Sequence, residues 1–256
     1  MKGCDINFVK KLKVSVVVIT LNEELNIERC LKSVQWADEI LVYDSGSKDK
    51  TVQIAKLLGA HVIESLWHGF GPTKNQAALL AKNDWVLSLD ADEEISDSLA
   101  AEISELSLKS ECVYAIPRLS NYLNHWVRYG GWYPDYQVRL FHRKYHNWNQ
   151  EIVHEKIEAK DEVKLLSYIN HYVFKNIEHH IQTNNKYSSL LAQKMVTKGQ
   201  EFSWFHFLTK PTVKFLECYI LKLGFLDGWV GYFVARGAAY SVFLKWAKLK
   251  EMKLKK

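Results

Sequence analysis

Residues 14–24 read VSVVVITLNEE. Val14 to Ile19 is a continuous, largely β-branched run with Ser15 its one polar member, the pattern of a strand buried on both faces, as in parallel sheets covered by helices on each side. Thr20 to Glu24 contain no glycine, so neither a dinucleotide-binding turn nor a phosphate loop follows this strand. The longer stretch MKGCDINFVKKLKVSVVVITLNEE has the basic-then-apolar order of a secretory leader. Its apolar run is short, however, and passes into Asn22, Glu23 and Glu24 with no small-residue cleavage site. It reads as the first strand.

Outward from that strand, apolar runs alternate with helical periods. Ile27, Cys30, Leu31 and Val34 fall at i, i+3, i+4 and i+7, predicting a helix over 23–34. Strands follow at 39–43, 61–64 and 85–89, with helices over 51–58, closed by Gly59, and over 73–81. Ser96 caps a further helix carrying Leu99, Ile103 and Leu106. This β-α-β-α order predicts an α/β fold with a mostly parallel sheet and flanking helices. Ligands of such sheets bind beyond the carboxyl ends of the strands.

Two acidic segments stand at those ends. In DSGSKDKT (44–51), Asp44 closes a strand, Gly46 permits a tight turn and Asp49 is placed to cap the next helix. The Asp44 carboxylate could accept the imide N–H of a uracil, or it is a turn residue. In LSLDADEE (87–94), Asp90 and Asp92 lie at i and i+2, so an extended backbone points both carboxylates the same way, a site for a hard cation. The alternative is a solvated acidic loop.

At 256 residues the chain supports one or two domains. Cys4, Cys30, Cys112 and Cys218 lack the paired spacing of a zinc or redox site and fit a reducing cytosol. The net charge of +5 is matched by six Lys and one Glu within 245–256, so the remainder is formally neutral. That argues against a nucleic-acid-binding surface on the main domain. Over 212–223, Phe215, Leu216, Tyr219, Ile220 and Leu223 share one helical face. The aromatic stretch after it is interrupted by Asp227, Arg236 and Lys245, short of the ~18 residues of a spanning helix. These segments read as amphipathic helices lying on a membrane surface, with a lysine tail drawn to anionic lipid. A helix packed on the main domain is the alternative.

Taken in order, VSVVVITLNEE, EILVYDSGSKDKT, GFGPTKNQA and LSLDADEE resemble the family 2 glycosyltransferases, which have a GT-A fold and a sugar-nucleotide donor. WADEILVYDSGSKD, WHGFGPTKNQA and GWYPDYQVRLF further resemble the bacterial lipopolysaccharide-core glucosyltransferase branch. The resemblance implies that Thr20, Glu23 and Asp44 lie in the nucleotide pocket. It places Lys74 at a basic position that contacts the donor, where a solvated helix lysine is the alternative, and matches Asp90 and Asp92 to the metal-binding motif, Asp90 also serving the donor. Ser45 follows Asp44 where the commoner pattern has a second aspartate, so the nucleobase contact rests on Asp44 alone. A divalent cation, Mg²⁺ or Mn²⁺, would stabilise the diphosphate leaving group as a Lewis acid.

Inversion in one displacement requires a base for the acceptor hydroxyl. Asp135 in GGWYPDYQVRLFHRK and Glu155 in NQEIVHEKI are the candidates, with a surface ion pair the alternative for each. Arg139 and Arg143 could hold anionic groups of donor or acceptor, or be strand-face arginines. His154 could ligate the metal or be structural, whereas the adjacent His179 and His180 point apart on a helix and make a poor ligand pair. The expected organisation is a catalytic domain over 1–200, with a nucleotide-sugar half to about 110 and an acceptor half beyond it, then membrane-surface helices over 201–256. The expected activity is metal-dependent transfer of a hexose, glucose foremost, from a UDP-sugar to a lipid-linked saccharide such as lipopolysaccharide inner core. It would take place in the cytoplasm at the inner face of the plasma membrane. An aspartyl-phosphate-type phosphatase also uses Asp-x-Asp after a strand, but on its first strand, which here ends in TLNEE. A non-catalytic nucleotide- or membrane-binding module is the third reading.

Overall fold

The computed structural model describes residues 13–149 and 156–254. They fall into two compact units, Met1–Pro117 with Tyr136–Asn170, and Arg118–Asp135 with His171–Lys256. The first half of unit 1 alternates as expected: β1 (Val14–Thr20), α1 (Ile27–Lys32), β2 (Glu39–Asp44), α2 (Thr51–Leu57), β3 (His61–Glu64), α3 (Phe70–Leu79) and β4 (Trp85–Asp90). Then come β5 (Glu93–Ile95), α4 (Asp97–Glu105), β6 (Cys112–Tyr122), β7 (His125–Val127), β8 (Asp135–His142), β9 (Asp161–Lys164) and β10 (Ile169–His171). The chain ends in three long helices, α5 (Ile177–Thr197), α6 (Trp204–Leu216) and α7 (Gly228–Leu254).

Among the described residues the sheet runs β3-β2-β1-β4-β8-β6-β10-β5. β1 lies between β2 and β4, parallel to both, and β2 is parallel to β3. All seven residues of β1 are buried, as its β-branched run predicts, with the Ser15 hydroxyl donating to Glu39. β8 is antiparallel to β4, with Leu87 opposite Leu140. One core layer packs Val16, Val18, Leu31 and Leu89 with Leu99 and Ile103; a second gathers Val17, Leu41, Ala77 and Phe141.

Three element boundaries differ from expectation, each for a local reason. α1 begins at Ile27, not 23, because Asn22 is left-handed (φ 56°) and the Glu23 amide donates to Thr51 Oγ1 at 2.8 Å, tying this stretch to the next loop. α3 begins three residues early: Gly69 at φ 97° turns the chain, and Pro72, in the first turn, has no N–H that the helix needs. The helix expected over 212–223 instead starts at Trp204, capped by Ser203, and ends in a single π turn, Glu217–Leu221. Leu223 (φ 57°) and a 3₁₀ turn, Gly224–Asp227, then reverse the chain into α7. A Cβ on Gly231 would meet the Gly224 carbonyl oxygen at 1.9 Å, so the close approach of turn and helix requires glycine there.

Unit 2 has its own core. Tyr122, Val127, Val230 and Val234 pack together, and His180 stacks on Phe174 while its Nδ1 lies 2.9 Å from the Tyr122 hydroxyl. His180 is 4% exposed, whereas His179 is half-buried beside Phe174 and its Nδ1 accepts from the Lys175 amide. α7 packs on both α5 and α6. Lys248 is bound to Asn185, Ser188 and Ser189 of α5, and Lys253 pairs with Glu201. The lysine tail is thus partly engaged within the unit.

Candidate active site

The carboxyl ends of β2, β1 and β4 lie side by side, with Thr20 in register with Asp44 and Ile19 in register with Asp90. Neighbouring strands are ~4.8 Å apart, so Asp44, Thr20 and Asp90 form a short row along one sheet edge. Thr20 Oγ1 is buried without a hydrogen-bond partner, as is Ser45 Oγ. Buried hydroxyls without partners are uncommon, and two at one strand edge mark where a polar ligand would be received.

Asp44 is 1% exposed, and its Oδ2 accepts from the amides of Gly46 (2.9 Å) and Ser47 (2.8 Å) while Oδ1 accepts from the Ser47 hydroxyl. It is therefore a turn residue in this structure, with Gly46 at φ 96° making the turn possible. The loops after β1 and β2 are laced together. Asn22 donates its amide to Ser47 Oγ and accepts at Oδ1 from the Lys48 amide, and the Glu24 carboxylate accepts from the Lys50 amide. Glu23 sits in this lacing with its carboxylate held by Asn26 at 2.7 Å; the N-cap position of α2 is Lys50, not Asp49 as expected, and Asp49 one residue earlier accepts from the Thr51 amide and hydroxyl.

The acidic segment is not a solvated loop. Glu93 is 1% exposed; one oxygen accepts from the Asp90 amide at 3.0 Å and the other from Arg139 at 2.5 Å. Arg139, on β8 and 2% exposed, also donates to Asp90 Oδ2 at 2.7 Å. Burial opposes its charge, but Asp90 and Glu93 hold the guanidinium pKa above its ordinary value. The other Asp90 oxygen lies 3.2 Å from Lys74 Nζ. Lys74 is 4% exposed, which rules out the solvated-lysine alternative, and its ammonium sits 4.7 Å from the ring centre of Trp148. Reciprocal hydrogen bonds at 2.8 Å between Asn75 and the Trp148 backbone hold that ring against α3. Asp92 is half-buried on the turn after β4. Burial pushes the nearby Cys30 thiol well above its ordinary pKa, and Glu93, Asp92 and Asp90 add to the shift, a sign of concentrated negative charge.

Among the described residues no group of three or more His, Cys, Asp or Glu is arranged to hold a metal ion. A two-carboxylate set nevertheless fits Mg²⁺ or Mn²⁺ beside a diphosphate, since such hard ions take one or two protein carboxylates and complete their shell with phosphate oxygens and water. Asp92 and Asp90 would hold it.

Thr20, Asp44, Lys74, Asp90 and Asp92 thus gather in unit 1 with Glu23 beside them. Of the other candidates, only Arg139 is seen against this group, through Asp90. Asp135 belongs to unit 2, where Arg118 donates to its Oδ2 from Nε (2.9 Å) and from the terminal guanidinium. Glu155 and His154 lie outside the described residues. Arg139 holds carboxylates of its own chain, and Arg143 donates to the Leu79 carbonyl at the end of α3 and lies 3.5 Å from Asp84, so neither is presented to a ligand as an open anion clamp. Sequence reasoning overlooked Glu93 and Trp148. The alternation of Glu93 and Ile95, both buried on β5, was the available signal for the first.

The sequence model of the family described as Glycosyl transferase family 2 matches residues 15–159. An uncharacterized glycosyltransferase of Rickettsia typhi is 33% identical over 265 residues, covering 95% of this chain and 88% of that protein. The lipopolysaccharide core biosynthesis glycosyltransferase LpsC of Rhizobium meliloti is 26% identical over 259 residues, covering 94% and 93%. Among solved structures, glucosyl-3-phosphoglycerate synthase from Mycobacterium tuberculosis in complex with Mn²⁺, uridine diphosphate and glucosyl-3-phosphoglycerate shares 24% identity with a TM-score of 0.35, over 43% of this chain and 44% of that one. The α/β core with its parallel β2-β1-β4 strands is the architecture that the resemblance implied, the phosphatase reading falls away, and the chain belongs to glycosyl transferase family 2.

Proposed function

We propose that this protein is an inverting, metal-dependent transferase that moves a sugar, glucose foremost, from a UDP-sugar to a lipid-linked saccharide of the lipopolysaccharide inner-core type, on the cytoplasmic face of the plasma membrane. The observation that carries the donor half is the row of Asp44, Thr20 and Asp90 at adjacent strand ends, with buried hydroxyls awaiting partners at Thr20 and Ser45. The similarity to LpsC supports the acceptor class.

In this reading Thr20 and Ser45 hydrogen-bond the nucleoside, and Asp44 accepts from the base with the lone pairs its turn leaves over. Lys74 faces the donor's phosphates while Arg139 and Glu93 keep Asp90 in place. Asp92 and Asp90 would hold the cation, which would supply Lewis-acid stabilisation to the departing diphosphate. The acceptor oxygen bonds to the anomeric carbon as the bond to the diphosphate oxygen breaks, and the hydroxyl proton passes to Asp135 or Glu155.

A thermal-shift panel of nucleoside diphosphates and their sugars, with and without Mn²⁺, tests the donor assignment. A ligand at ~100 times its Kd adds ~2.7 kcal/mol of native stability. UDP or a UDP-sugar is expected to give the largest, metal-dependent shift, and Asp92→Asn to abolish both it and transfer while the control Asp97→Asn retains them. A shift with GDP alone would overturn the role of Asp44. Metal-dependent UDP binding without donor hydrolysis or transfer would favour a non-catalytic binding module.

A further inference from the structure

Unit 2 carries an apolar face that no described residue covers. α6 has no buried residue, and Trp204, Phe205, Leu208, Val213 and Leu216 are 64, 71, 66, 61 and 47% exposed. At about 100° per residue these five fall within roughly a half-turn of the helix, shared with Thr209, Thr212 and Phe215, the last half-buried against Tyr219 and Tyr232, whereas Lys210 and Lys214 fall on the opposite half. The strip is ~20 Å long. It continues past the π turn through Ile220, Leu221 and Phe225 to Trp229, each at least 43% exposed. Among the described residues no single helix is long and apolar enough to cross a bilayer; Trp204–Leu221 and Gly224–Leu254 reach that length and composition only as a pair bent by 74°. A bent, one-sided apolar surface suits lying in an interface.

Charge identifies the occupant. Residues 201–254 hold eight Lys or Arg against four acidic residues. Of the acids, Glu217 is paired by Lys214 and Lys222, Glu201 by Lys253, and Asp227 is buried against His125 and the amides of Arg128 and Tyr129. Burial pulls the Lys245 ammonium below its ordinary pKa, and Lys210 and Lys214 add to the shift, which marks a cluster of like charge behind the strip. A second copy of this cationic region would bring no surplus of acidic partners. An anionic bilayer complements both features: acyl chains take the apolar strip, the tryptophans sit at headgroup level, and lysines reach lipid phosphates.

We propose that the exposed face of α6 and the turn after it form the membrane-contacting surface of this protein, lying in the interface of an anionic bilayer. The inference rests on the reading of the acceptor as lipid-linked. It differs from anchoring by the terminal lysines, two of which are occupied by α5 and Glu201.

The test is sedimentation of the full-length chain with vesicles of phosphatidylcholine alone or with a third of phosphatidylglycerol, for wild type and for Phe205→Ser/Leu208→Ser. Both side chains are exposed, so the fold is left alone, and the UDP-dependent melt is measured on the same samples. Wild type is expected to pellet with anionic vesicles and the double variant to lose at least about tenfold in partitioning, with an unchanged melt. Vesicle binding by wild type that the variant loses, with no UDP response in either, would support this inference while overturning the donor assignment. Equal partitioning of the two proteins, or no pelleting of wild type, would overturn the inference. A wild-type dimer that the double variant dissolves would assign the face to a second copy.

Discussion

Replacing Arg139 by methionine removes the buried cation that touches both Asp90 and Glu93 and keeps most of the side-chain volume. The two carboxylates are not equally affected. Asp90 is 27% exposed at its side chain and retains Lys74 at 3.2 Å, whereas Glu93 is fully buried and loses the guanidinium. Stranding one charge of a buried pair costs about 3–5 kcal/mol, most of it the desolvation of the charge left behind. At ~2–4 °C per kcal/mol for a chain of this size, the melting temperature should fall by roughly 10 °C. The variant Arg139→Met/Glu93→Gln removes the stranded charge, so it should recover at least ~2 kcal/mol of that loss, although two substitutions have been made. Thermal melts of wild type, both single variants and the double variant close the cycle. If Arg139→Met melts within ~1 kcal/mol of wild type, or the double variant is as unstable as the sum of the singles, Arg139 is not what makes the buried Glu93 tolerable. A companion measurement separates fold from site: Arg139→Met should weaken the metal-dependent UDP shift at a temperature where the variant is still folded, because Asp90 has lost one of its two fixed partners.

Two further outcomes are expected. Burial lowers the His180 pKa to about 4, with His179 contributing, from an unfolded value near 6.5, so the unfolded chain binds the extra proton between those limits. Stability should be complete above pH ~6.5 and fall by about 3 kcal/mol as pH drops through 4; His180→Gln should flatten that part of the profile in thermal melts, and an unaltered slope would move the titration elsewhere. For the base, Asp135→Asn should keep metal-dependent UDP binding and lose at least ~100-fold in transfer. If Glu155→Gln shows that pattern and Asp135→Asn transfers normally, the role passes to Glu155.

Where burial is continuous, sequence and structure agree closely. β1, β2 and β4 begin at their expected residues because strands with long buried stretches must be mostly apolar, whereas β3, exposed at both ends, was marked only by its short Val62-Ile63 pair between turns. The strand-end residues Asp44 and Asp90 were visible for the same reason, being the first charges after such runs. Charge itself misled. Glu93 and Lys74 look like surface residues in a one-dimensional pattern, and only β8, arriving some 45 residues later with Arg139, makes their burial possible. The ends of helices were least legible, since α1 gives up its first turn to hydrogen bonds with a loop 25 or more residues away. The break after Leu221 had no proline to announce it, because its cause is the contact between Gly224 and Gly231.

The lacing of Asn22, Glu23 and Glu24 to Ser47, Lys48, Asp49, Lys50 and Thr51 has a bearing on redesign. Neither loop owns its conformation: Asn22 holds its left-handed φ with its amide on Ser47, and Ser47 in turn closes the Asp44 turn. Exchanging residues 44–51 alone for those of a homologue would leave the amides and carboxylates of 22–24 facing foreign partners, with about 1 kcal/mol forfeited at each broken hydrogen bond. Attempts to change the nucleotide that such an enzyme accepts should therefore transplant 20–26 and 44–51 together, as one cassette from one parent.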